Sequence, residues 1–92
     1  MKPINTFKLI EGDFSVVEAK ELLTNLYSNK IQFHSSKNFS TQERFGHPHE
    51  GSLKRIPELK ATLTEICQLL DALKQTDSRL NISANITIQI NE

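Results

Sequence analysis

The chain has 92 residues, 37% of them hydrophobic and 24% charged, which suits one folded domain over residues 1–92 and leaves no room for a second core. Eleven Lys and Arg offset eleven Asp and Glu, so no chain-wide field draws in nucleic acid or anionic lipid. The single cysteine, Cys67, excludes an intrachain disulfide framework and a thiolate zinc cluster, and the early residues lack an apolar run of signal-peptide or membrane-span length; a cytoplasmic location without membrane association is expected.

Residues Ile4 to Ile10 alternate loosely through Thr6, Phe7 and Leu9, which predicts a strand, and Gly12-Asp13 supplies a turn signal after it. Ser15 with Glu18 three positions later has the form of a capping box and starts a helix. At ~100° per residue, Val16, Ala19, Leu22, Leu23, Leu26, Tyr27 and Phe33 fall in one stripe, the pattern of a helix with a single buried face. Ser35, Ser36, Asn38 and Ser40 weaken its second half. The chain either breaks near Ser36 to Phe39 and restarts at a second capping box, Ser40 with Glu43, or continues as one long helix. Gly46-His47-Pro48-His49-Glu50-Gly51 reads as a loop.

The next segment spaces Ile56, Leu59, Leu63, Ile66, Leu70 and Leu73 by threes and fours, a seam that predicts a helix packed on the first as a hairpin. Pro57 belongs near its start, with the residues before Ile56 outside the helix or beyond a kink. Thr76-Asp77-Ser78 ends it, and from Leu80 to Ile90 apolar residues alternate with Asn81, Ser83, Asn85, Thr87 and Gln89. Period two means a strand, with Leu80, Ile82, Ile86, Ile88 and Ile90 expected on a buried face. The expected fold is therefore α+β, in the order β-α-α-β, with a helical hairpin packed on an antiparallel two-stranded ribbon that dimerisation could extend into a larger sheet. The opening strand, helix and helix resemble ribbon-helix-helix regulators in layout only. Here the helices are long, a second strand follows, and the first strand offers just Lys2 and Lys8 as polar readers.

Lys30, His34, Lys37, Thr41 and Arg44 share one helical stripe that runs toward Lys54 and Arg55, so Lys30, His34, Lys37, Arg44, Lys54 and Arg55 are the candidate anion-binding residues. His47, His49 and Glu50 could face a metal, but a glycine-flanked loop does not preorganise ligands, and no metal or other cofactor is assigned. Cys67, beside the seam, reads as a small buried hydrophobe. With no glycine-rich phosphate loop, no carboxylate pair dividing acid and base roles and no placed nucleophile, enzymatic activity has no support.

The last strand carries no Lys, Arg, Pro or Asp to discourage edge pairing, which makes Asn81, Ser83, Asn85, Thr87 and Gln89 the candidate interface residues. The first functional expectation is a small interaction module acting through strand-mediated homo-oligomerisation or as an accessory subunit of a protein partner. The second is a nucleic-acid or small-anion binder using the basic, histidine-containing end of the hairpin.

Overall fold

A computed structural model describes residues 4–91, so Lys2 lies outside the described residues. The order is β1 (Ile4–Phe14), α1 (Val16–Phe45), α2 (Glu50–Ala72) and β2 (Leu80–Gln89). The strands form one antiparallel two-stranded sheet and the helices pack as a hairpin, giving the α+β architecture that the sequence pattern implies.

β1 does not stop at the Gly12-Asp13 turn signal. Gly12 sits opposite Ile82, Asp13 opposite Asn81 and Phe14 opposite Leu80, so cross-strand pairing carries the strand to the edge of the helix. The register slips between Lys8 and Ile10, leaving Leu9 as the extra residue of a bulge. Opposed residues share a face. Phe7 with Ile86, Ile10 with Ala84 and Phe14 with Leu80 therefore line the apolar face, and Thr6 with Thr87, Lys8 with Asn85 and Asp13 with Asn81 the polar one.

At the ribbon's base the capping box forms as expected: the Glu18 N–H donates to Ser15 Oγ over 3.1 Å and the Ser15 N–H donates to Glu18 Oε1 over 2.9 Å. Hydrogen bonding of the Glu18 carboxylate to Ser15, by the Ser15 backbone N–H first and then by its side chain, lowers the Glu18 pKa, and Arg79 adds to the effect. From this cap α1 runs unbroken for 30 residues, past Ser36, and no second capping box interrupts it at Ser40. Weak helix propensity is overridden there by tertiary bonds to Asn38 and His34, described below. Gly46 ends the helix in the left-handed region at φ 78°, where its N–H donates to the Gln42 carbonyl, and Pro48 follows.

The connection is shorter than the glycines suggest, because α2 already begins at Glu50 with His49 as its cap. Pro57 thus lies inside the helix, and the Leu53 carbonyl loses the donor that a residue four positions on would supply. The seam behaves as its spacing requires: Leu59 and Leu70 are buried, and Ile56, Leu63, Ile66 and Leu73 are half-buried. Cys67 is half-buried beside them, less enclosed than expected. Phe33 is half-exposed and does not continue the α1 stripe. The inward line passes instead through Tyr27, Ile31, His34, Asn38 and Thr41, all half-buried, and Phe33 falls ~100° from His34 around the helix.

The core is small and sits where ribbon and hairpin meet. Val16, Ala19 and Leu70 form its buried centre, packed by Phe14, Leu23, Ile66, Leu73, Leu80 and Ile82. An exposed ion pair, Lys20 Nζ to Asp71 Oδ1 at 2.9 Å, ties the two helices nearby. Beyond this base the ribbon is uncovered. Ile86, Ile88 and Ile90, assigned to a buried face from their alternation, are 42%, 56% and 52% exposed, because no helix covers that half of the apolar face.

Candidate functional site

Three features of this frame bear on function, and the first is the junction of the helices at their distal end. The Ser52 side chain is fully buried, with its Oγ 3.0 Å from His34 Nδ1 on α1 and 3.0 Å from His49 Nδ1 at the start of α2. The Ser52 N–H also donates to His49 Nδ1 over 3.0 Å, so that nitrogen carries no proton and the imidazole acts as the helix cap. Asn38 completes the junction by accepting the His49 N–H on its Oδ1 at 2.9 Å. Of the candidate anion-binding residues, His34 is thereby turned inward and committed to the junction. Burial, reinforced by the charges of Lys30, Arg55 and Lys37, lowers its pKa.

A serine beside a histidine invites a hydrolytic reading, but buried Ser52 offers no surface to a substrate. Nor do the loop histidines converge on a metal. His49 is a cap, the His47 Nδ1 lies 3.2 Å from the Pro48 carbonyl, and no three His, Cys, Asp or Glu side chains gather into a metal set among the described residues.

The second feature is the flank beside this junction. Lys30, Lys37 and Arg44 are all exposed on α1, with the Lys30 and Lys37 ammonium groups 5.6 and 6.0 Å from the centre of the Phe33 ring. Phe33 meets the His34 ring edge-on at 5.3 Å. Arg55 reaches the same neighbourhood from α2, although Glu58 Oε2 engages its guanidinium at 3.0 Å. Lys54 is exposed and falls ~100° around α2 from Arg55, away from this flank. The structure thus brings together Lys30, His34, Lys37 and Arg55, with Arg44 farther along the same line of α1 and Lys54 apart.

The third feature is the ribbon. Asn81, Ser83, Asn85, Thr87 and Gln89 are all exposed on its polar face, where Asn81 donates to Asp13 Oδ1 at 3.1 Å and Thr87 lies 3.4 Å from Thr6. The opposite face holds what sequence reasoning missed: Phe7 is 55% exposed beside uncovered Ile86 and Ile88. Alternation revealed that this face is apolar but carried no signal that the hairpin stops short of it. Asn38 and Ser52 were missed as well, since the binding partner of a polar residue inside a helix has no sequence periodicity. Family models, curated proteins and solved structures gave no match to this chain.

Proposed function

We propose that the protein is a small interaction module that self-associates through its ribbon, a second copy adding its strand along the free edge of β2. The observation that carries this reading is the size of the surface left uncovered. The chain exposes 7198 Å². A compact monomer of 10.5 kDa would expose about 5,400 Å². Its radius of gyration, 16.6 Å, likewise exceeds the ~12 Å of a compact chain of this length.

The two edges are not equivalent. β1 bears the Leu9 bulge and the charges of Lys8, Glu11 and Asp13, each of which discourages strand addition. β2 has no bulge and no charged residue from Leu80 to Asn91. A two-fold axis through such an edge brings identical residues near one another, and neutral Asn, Ser and Thr tolerate that where Lys or Asp would repel. Parity keeps the faces matched: when β2 pairs with itself antiparallel, Ile lies beside Ile, Leu or Ala, and the apolar face continues into the partner.

The test is a pair of variants. Thr87→Lys places like charges near the axis and Ile88→Lys charges the exposed apolar face. Both should shift the protein toward monomer in sedimentation analysis while leaving its helical circular dichroism in place. Variants that keep the wild-type mass would remove β2 from the interface.

A further inference from the structure

The charges of this neutral chain are unevenly placed. From Lys30 to Arg55 five Lys or Arg face only Glu43 and Glu50, which leaves six cations against nine carboxylates in the remainder. The distal half of the hairpin is therefore a positive end on a molecule of zero net charge, and this feature is independent of the ribbon.

Within that end, Lys30, Lys37 and Arg44 recur every seven residues, so they form a nearly straight row about 21 Å long on one side of α1. Glu43 lies ~100° or more around the helix from each member of this row and off its line. Phe33 sits between Lys30 and Lys37 in sequence, half-exposed, with both lysine ammonium groups reaching over its ring. Three exposed aromatic rings, Phe33, Phe39 and Phe45, belong to this end of α1, and the Phe45 ring stacks on His47 at 6.1 Å.

We infer that the Lys30–Phe33–Lys37–Arg44 row is a binding surface for single-stranded nucleic acid, the cations taking phosphates and the Phe33 ring taking a base. An alternation of charge, flat apolar ring and charge along one line matches a strand in which phosphates and bases alternate. An acidic polypeptide would satisfy the cations but has no π-face at regular intervals to lay on the ring. A lipid surface is matched by helices that keep the apolar side chains on one face and the cations on the other, and here they share a line. His34, held inward by Ser52, lies beneath the row and keeps α1 continuous through it. Arg55 lies beside it, partly engaged by Glu58.

The experiment is fluorescence anisotropy of a fluorescein-labelled oligothymidylate long enough to span the row, titrated with the full chain over a range of salt. The affinity should fall with salt with a logarithmic slope near −2, about −0.7 for each of three phosphates. Lys37→Gln should weaken binding and flatten that slope by ~0.7, whereas Phe33→Ala should weaken it about 5- to 100-fold with the slope unchanged. Lys60→Gln, elsewhere on α2, should do neither. Absence of binding at low salt overturns the inference. So does binding that Phe33→Ala leaves intact, or equal retention of the protein by phosphatidylserine vesicles, since each marks a surface that reads charge alone.

Discussion

His34 on α1 and Ser52 on α2, eighteen residues apart in sequence, meet at 3.0 Å between Nδ1 and Oγ, and this contact joins the distal ends of the two helices. Removing the Ser52 hydroxyl leaves His34 Nδ1 without its partner at a part-buried position, while His49 Nδ1 keeps the backbone N–H of residue 52. Ser52→Ala should therefore cost about 1–3 kcal/mol in denaturant unfolding, more than a surface serine would, through the unmet nitrogen it leaves behind. A change below a few tenths of a kcal/mol would show the junction to be incidental.

The surroundings of His34 also set a pH dependence. Burial first, and then the charges of Lys30, Arg55 and Lys37, hold His34 below its ordinary pKa of 6.5. The folded chain consequently binds fewer protons at this site than the unfolded chain does. Stability from the junction is complete above 6.5 and declines as the pH falls through the lowered folded value. The His34 ring resonance should titrate with a midpoint below 6.5. The melting temperature of His34→Gln should drop less than that of the wild type between neutral and mildly acidic pH. An ordinary midpoint would place His34 in solvent.

Leu59 and Leu70 are each 4% exposed and anchor the seam of α2. Replacing either with Ala should cost about 2–5 kcal/mol, as large-to-small changes in packed cores do. Leu69→Ala, at a position 61% exposed, should cost under about 1 kcal/mol in the monomeric state. Equal costs for Leu69 and Leu70 would break the hairpin packing.

Much of this architecture was legible in the residues because it rests on local patterns. Ser15 and Glu18 announce the start of α1, the three-four spacing from Ile56 to Leu73 announces the buried side of α2, and the strict alternation from Leu80 announces β2. What escaped depends on partners distant in sequence. The serines at 35, 36 and 40 suggested a break, yet α1 is continuous where His34 and Asn38 are held by residues across the loop. Gly12-Asp13 suggested a turn, yet pairing with Ile82 and Asn81 keeps both in the ladder. Of the candidate sites, the basic stripe was visible as spacing, but the inward turn of His34 and the exposure of Phe33 arise from packing that no local pattern encodes.

If association covers the ribbon, folding and association are linked, and the melting temperature should rise with protein concentration. A tenfold dilution should lower it by a few degrees, since a dimer that forms on folding gains about 1.4 kcal/mol per decade of concentration at most. Ile88→Lys should remove the dependence.

The most direct test of self-association is the molar mass of the wild-type chain measured by light scattering across a dilution series. The account predicts a mass near twice 10.5 kDa at high concentration, falling toward the single-chain value only on extensive dilution. A mass of one chain at every concentration would contradict it and would leave the edge of β2 to a partner of a different sequence.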